Sequence, residues 1–195
     1  NLKQSGITLI EMMIAMVLGL IVTGTIITIF ISNVKSTTET VKMTRLNQEL
    51  RTVMNFMADE LKRAGYSADP DADFFMDSYV VDVTSGAECV LYAYDVNANG
   101  TSEANESFGF RLDINQIKWQ SGVTACGDIS QALTDPDTAR ITDFTLTPTA
   151  LAADASSAIQ THNLEISITG ETDLNPNTAS REVRETIRVR NDAER

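Results

Sequence analysis

Residues 95–106 carry the ligand pattern of a cation loop. Asp95, Asn97 and Asn99 place side-chain oxygens at alternate positions and Gly100 permits a sharp turn. Thr101 would supply a main-chain carbonyl, Glu103 a further oxygen, and Glu106 a carboxylate able to bind through both oxygens. This is the D-x-[DN]-x-[DN]-G-x5-E arrangement of a calcium loop, a hard-oxygen site that millimolar extracellular calcium would fill. The same residues admit a reading with no ion. The flanks pattern as strands rather than helices, two asparagines lower the charge of the ligand set, and Asn99-Gly100 between alternating runs is a hairpin signal by itself. Calcium loop and bare hairpin both stand at this level. The other residue in a chemically loaded setting is Glu11, which lies at the edge of a long apolar run. A carboxylate at mid-bilayer costs roughly 2.5–3.5 kcal/mol on translocon scales and less near an interface, so Glu11 calls for a cationic partner or a place among the headgroups.

The run beside Glu11 is the first positioning element. Residues 12–31 contain no charged residue and no proline, and a helix of that length spans about 30 Å of hydrocarbon. It reads as a transmembrane segment. A cleavable secretory signal is the poorer fit, because its apolar region is usually about 7–15 residues and ends in small residues, whereas Ile31-Ser32-Asn33-Val34 follows here.

Gly6-Ile7-Thr8-Leu9-Ile10-Glu11, preceded by Lys3-Gln4-Ser5 and followed by the apolar run, resembles the class III signal of type IV prepilins and pseudopilins. The resemblance implies that residues 1–6 are the end of a leader and that a prepilin peptidase cuts after Gly6 and methylates Ile7. It further implies that Glu11, then fifth in the mature chain, pairs with the N-terminal amine of a neighbouring subunit during filament assembly. An apolar filament core would leave that carboxylate unpaired without such a cation, so burial physics fits the role. Orientation is the point of tension. Lys3 alone precedes the span while Lys35, Lys42, Arg45 and Arg51 follow it, which by the positive-inside rule favours a cytoplasmic C-terminal side. The resemblance implies the opposite, and long domains translocate largely regardless of such charges.

Beyond the span the helical period continues. Leu46, Leu50, Val53, Met57 and Leu61 form one apolar stripe, and Arg63-Ala64-Gly65 supplies cations and a C′ glycine, so the helix is expected over 7–64, about 85 Å long. Such a stripe is core packing rather than a cofactor box. Residues 66–77 read as a loop. The period then changes to two, with strands expected at Ser78–Thr84, Glu88–Asp95, Ser107–Ile114, Arg140–Thr147, His162–Thr169 and Arg181–Arg190, and residues 150–158 as a loop or short helix. In the last strand Val183, Ile187 and Val189 should point inward and Arg184, Thr186, Arg188 and Arg190 outward. The expected class is α+β: a long N-terminal helix, membrane-spanning in its first half and amphipathic in its second, packed on an antiparallel sheet in a globular domain over 66–195. Phe56–Tyr66, Cys89–Asp95, Phe108–Leu112 and Ile187–Asn191 resemble a PilW-type minor pilin. That implies a low-copy subunit that primes assembly of a type IV pilus or sits at its tip. The J-type pseudopilin of type II secretion has the same architecture. The partners implied are other minor and major pilins, the peptidase, the inner-membrane assembly platform and, before assembly, the membrane itself, with the globular part periplasmic and then extracellular.

In that compartment Cys89 and Cys126 read as a disulfide, with two buried thiols as the alternative; one histidine and no C-x-x-C argue against zinc. Of the net charge of −12, residues 66–180 carry most, with 18 acidic against three basic residues, so no nucleic-acid partner is expected. The chain holds no G-x-S-x-G, P-loop, G-x-G-x-x-G or H-E-x-x-H, and a lone strand histidine, His162, has no motif-recognisable nucleophile. Trp119 beside Lys118 suits packing or an interface rim. An enzyme is not expected, and a monomeric, membrane-anchored calcium- or ligand-binding protein is the alternative from a different class.

Overall fold

The structure, a computed structural model, describes residues 6–69, 80–82, 89–151, 159–174, 176–189 and 193–194. It divides into two compact units, Asn1–Val41 and Lys42–Arg195.

Helix α1 covers Leu9–Leu61. It starts two residues later than the expected Ile7 because Thr8 caps it, its carbonyl accepting from Glu11 N and Met12 N at 3.1 and 3.2 Å. It ends before the expected Ala64 because the backbone tightens: Arg63 N bonds Glu60 O and Ala64 N bonds Leu61 O, the three-residue pattern that closes many helices. Gly65 then takes φ +79°, the left-handed conformation expected after a helix end. Its N–H donates to Ala93 O at 2.8 Å, and Asp95 N donates to Tyr66 O at 2.8 Å, so the end of the helix is tied to the end of a strand.

The strands are β1 Val80–Asp82, β2 Cys89–Ala93, β3 Ser107–Asp113, β4 Gln116–Ser121, β5 Gln131–Ala132, β6 Arg140–Leu151, β7 Ile159–Leu174, β8 Asn177–Arg188 and β9 Ala193–Glu194. They make two antiparallel sheets, where the sequence suggested one. The first is ordered β1-β2-β3-β4-β5 and the second β6-β7-β8, with β9 also on β7. Of the expected loop at 150–158, residues 150 and 151 extend β6; residues 152–158, like the expected leader positions 1–5, the expected loop positions 70–77 and the expected strand positions 78, 79, 83, 84, 88 and 190, lie outside the described residues.

Every residue of the predicted stripe, Leu46, Leu50, Val53, Met57 and Leu61, is buried, joined by Met54 and Ala58. They share one cluster with Val90, Tyr92, Phe110 and Ile117 of the first sheet and Ile141, Phe144, Leu146, Leu164, Ile166, Ile168 and Ile187 of the second. Gly170 of β7 admits the helix closely: a Cβ there would stand 3.0 Å from a methyl of Leu50. Ile187 and Val189 are buried and Val183 packs against the core, as the alternation of the last strand requires. Glu185, on the same face, meets Lys62 at 3.7 Å.

A polar thread crosses the aromatic part of this core. Glu60 of α1 accepts from the hydroxyls of Tyr94 at 3.0 Å and Tyr92 at 3.4 Å, while Trp119 Nε1 donates to Tyr92 Oη at 3.1 Å. Tyr94 stacks on Phe108 with centroids 4.7 Å apart, and the edge of Phe56 meets Phe110 and Trp119. Trp119 is therefore partly buried and packed against the core with its N–H partnered, the packing role of the two the sequence left open.

Candidate functional site

The N-terminal signal is built on the first turn of α1. Glu11 lies three residues after its cap, Thr8. Its N–H donates to Thr8 Oγ1 at 3.4 Å, and the N–H and hydroxyl of Thr8 each lie 3.5 Å from Glu11 Oε2. This is the reciprocal geometry of a capping box, which satisfies donors that a helix start leaves open. The carboxylate also sits where the positive end of the helix dipole favours it. Thr8 is the residue that sequence reasoning passed over, although T-x-x-E before an apolar run is the signal that marks it.

After Glu11 the described apolar residues through Val34 are exposed, among them Ile14, Val17, Leu18, Ile21 and Ile27. α1 is the helix among the described residues that is long and apolar enough to cross a membrane. Its threonines do not spoil that surface, because Thr23, Thr25 and Thr28 return their hydroxyl hydrogens to the carbonyls of Gly19, Ile21 and Gly24 at 2.8–2.9 Å. A polar group so satisfied within its own helix is tolerable in hydrocarbon. Gly6 and Ile7 precede the helix and are exposed, Ile7 at 73%. A peptide bond in exposed chain outside a helix or strand is open to a peptidase.

The loop at 95–106 joins β2 to β3, whose ladder closes at Ala93↔Ser107. It is a long connection rather than a two-residue Asn-Gly turn. Asp95 is buried at its base; Oδ1 accepts from Asn99 N at 3.1 Å, and Oδ2 from Gly100 N at 2.8 Å and Ala68 N at 3.1 Å. Burial pushes the Asp95 carboxyl up, but the N–H donors of Gly100, Ala68, Asn99 and Ala98 outweigh it and hold the carboxyl below its ordinary value. Glu106, fully buried, accepts from Val96 N at 2.9 Å and Glu103 N at 3.0 Å, one on each oxygen. Glu103 takes the amides of Asn97 and Asn99 at 3.1 Å, which turns their oxygens onto the N–H groups of Asn99 and Thr101. Gly100 adopts φ +70°. The structure thus brings Asp95, Asn97, Asn99, Thr101, Glu103 and Glu106 into one loop whose side-chain oxygens accept from its own donors. Among the described residues no group of three or more His, Cys, Asp or Glu side chains is set to hold a metal ion.

Beside it, Cys89 of β2 and Cys126 form a disulfide with Cα atoms 6.0 Å apart, closing 37 residues. It packs with Leu91, Val123 and Ile129 in a second small cluster.

Comparison with known proteins matches the N-terminal signal and the domain behind it separately. Residues 1–27 match the prokaryotic N-terminal methylation motif. Residues 39–189 match the profile of prepilin peptidase-dependent protein B. The chain belongs to the prepilin peptidase-dependent protein B family. Its fold is similar to that of the type IV-like pilin TTHA1219 from Thermus thermophilus, with a TM-score of 0.54 and 11% identity over 74% of this chain and 96% of that one. No curated protein matches the chain. The α+β class, the class III signal and the pilin resemblance of Lys3–Glu11 hold at this level. Family and fold point to a structural, membrane-anchored, pilin-like protein that depends on a prepilin peptidase.

Proposed function

We propose that the chain is a minor pilin, a non-enzymatic structural subunit that primes assembly of a type IV pilus or sits at its tip. The observation that carries this is the joining of a capped Glu11 to an exposed apolar helix directly after Gly6-Ile7. In this reading the peptidase cuts between Gly6 and Ile7 and methylates Ile7. The subunit waits in the inner membrane with its sheet domain in the periplasm, and the assembly platform then moves it into the filament. There the Glu11 carboxylate meets the N-terminal amine of a neighbouring subunit. The loop at 95–106 is held by its own hydrogen bonds and serves as a surface of the globular domain that requires no ion.

The test is intact mass and N-terminal sequence of the membrane-extracted chain, expressed with and without a prepilin peptidase. A chain beginning at N-methylated Ile7 only in the presence of the peptidase is the expected result. An uncut N-terminus in both samples would leave a plain anchored protein and end the proposal.

A further inference from the structure

The sequence holds one asparagine followed by glycine, Asn99-Gly100. Asparagine is thermally labile, and a following glycine makes it most so, because no Cβ shields the next backbone nitrogen. Once that nitrogen has given up its proton to water, it attacks the side-chain carbonyl carbon. A C–N bond forms, the amide nitrogen leaves as ammonia, and water opens the resulting five-membered imide to aspartate or isoaspartate. Water is the one co-reactant.

Water reaches Asn99, which is exposed. The nucleophile and the carbonyl carbon, by contrast, are both held. Gly100 N donates to Asp95 Oδ2 at 2.8 Å, and Asp95 is buried. A carboxylate facing that N–H opposes the anion that must form there, as any like charge does. The side chain is fixed at both ends: Asn99 Oδ1 accepts from Thr101 N at 2.8 Å and Thr101 Oγ1 at 2.7 Å, while Asn99 Nδ2 donates to Glu103 Oε1 at 3.1 Å. Ring closure needs the carbonyl carbon brought onto the nitrogen in a near-attack geometry, so both ends must let go. The peptide has little room to turn instead. Gly100 sits at φ +70° against residue 69, where an added Cβ would lie 2.7 Å from Asp69 Cβ.

We propose that Asn99-Gly100 is a latent modification site, hydrolysed through the imide only when the loop at 95–106 opens and held shut by Asp95 and Glu103 while it is closed. Either product marks the loop for good. Aspartate at 99 takes from Glu103 the N–H that it accepts and sets a second carboxylate against it. Isoaspartate adds a carbon to the backbone whose N–H groups are placed on Asp95. Where opening and reclosing are fast, the rate of such a reaction follows the open population.

The experiment incubates the full chain in detergent micelles at mildly alkaline pH, below its Tm, and follows aspartate and isoaspartate at position 99 by peptide mass mapping. The parent in denaturant supplies the rate of the open chain, and the folded parent should be slower by about tenfold or more. Asp95→Ala, which frees Gly100 N, should raise the folded rate about tenfold, and Glu103→Ala, exposed and freeing one end of the Asn99 side chain, should raise it by less. Asp95→Ala also loosens the fold. The reference for that is Cys89→Ala with Cys126→Ala, which removes the disulfide and none of the hydrogen bonds to Asn99 or Gly100; held equally far below its own Tm, it should stay near the parent rate. A folded parent that reacts as fast as the denatured chain would overturn the proposal, as would Asp95→Ala and Glu103→Ala chains that react like the parent. Equal acceleration in the disulfide variant would assign the reaction to global unfolding and overturn the role given to Asp95 and Glu103.

Discussion

Thr8 and Glu11 satisfy each other across the first turn of α1, the threonine hydroxyl accepting from Glu11 N and the glutamate carboxylate facing the Thr8 N–H and hydroxyl. Two jobs therefore fall on one carboxylate: capping within the chain and, in the proposed filament, pairing between chains. Substitutions separate them. Glu11→Gln keeps an acceptor for Thr8 and loses the charge, so membrane insertion should be unchanged while the amount of subunit in sheared filaments falls sharply. Thr8→Val removes the cap, worth about 0.5–2 kcal/mol in a helix start, and keeps the charge, so incorporation should persist. Immunoblots of sheared filaments and membranes check both; incorporation of Glu11→Gln at the parent level would sink the assembly role.

Reduction of the Cys89–Cys126 bond frees a loop of 37 residues. Chain-entropy arguments put the loss at about 3–4 kcal/mol. Cys89→Ala with Cys126→Ala should lower Tm by several degrees and make it insensitive to reductant, whereas the parent should lose a similar amount on reduction. A parent Tm unmoved by complete reduction would contradict this.

The carboxylate of Glu60 receives two tyrosine hydroxyls inside the core. Glu60→Leu would leave Tyr92, buried and still accepting from Trp119, with no acceptor for its own hydrogen. A buried donor left open costs about 1–3 kcal/mol, and chemical denaturation of the full chain in micelles should show a loss of that order. Restoring the balance with Tyr92→Phe in the same chain should recover part of it, since the open donor is then gone; no recovery would mean that Glu60 acts elsewhere.

What could be read in the sequence followed the strength of local periodicity. The stripe Leu46 to Leu61 named the buried face of α1 because a helix repeats its contacts every three or four residues and no other element competes. The cysteine pair and the loop residues 95–106 were visible as residues, but the hydrogen bonds that Asp95 and Glu106 accept from the backbone were not. A backbone N–H acceptor and an ion ligand need the same oxygens at the same spacing, so the sequence leaves both uses open. Strand β4 was missed for a different reason. Its turn is Ile114-Asn115, both at positive φ, 47° and 60°, the geometry of a two-residue hairpin that Asn-Gly usually announces. The division into two sheets was also hidden, since pairing between β6 and β7 is a long-range choice that alternation within one strand does not encode.

Ile114 at that turn is a β-branched residue in the left-handed region and 80% exposed. Its conformation costs roughly 1–2 kcal/mol for an L-residue with a Cβ, and no burial offsets it. Ile114→Asn, which tolerates the left-handed region, should raise stability by up to about 1 kcal/mol with the β3–β4 register unchanged. Thermal melts check the sign, and a lower Tm for Ile114→Asn would mean that the isoleucine is held for its packing.

Asp95 gives the domain a defined response to acid. Its folded-state pKa is lowered, so its contribution is fully present above the ordinary carboxylate value of about 3.9 and is lost as pH falls through the folded value. Asp113 acts in the same direction, drawn down by Lys118 at 2.5 Å and by Arg111. Asp95→Asn cannot titrate, so it should be less stable than the parent at pH 7, and the gap should narrow as pH drops below about 4. A gap constant from pH 7 to strongly acidic conditions would remove Asp95 from the account of acid sensitivity. The same melts at pH 7 address the loop. With Asp95 and Glu106 accepting backbone hydrogens, chelator should leave the Tm of the parent where it is. A Tm that rises with millimolar calcium in the parent and not in Asp95→Asn would instead assign an ion to residues 95–106.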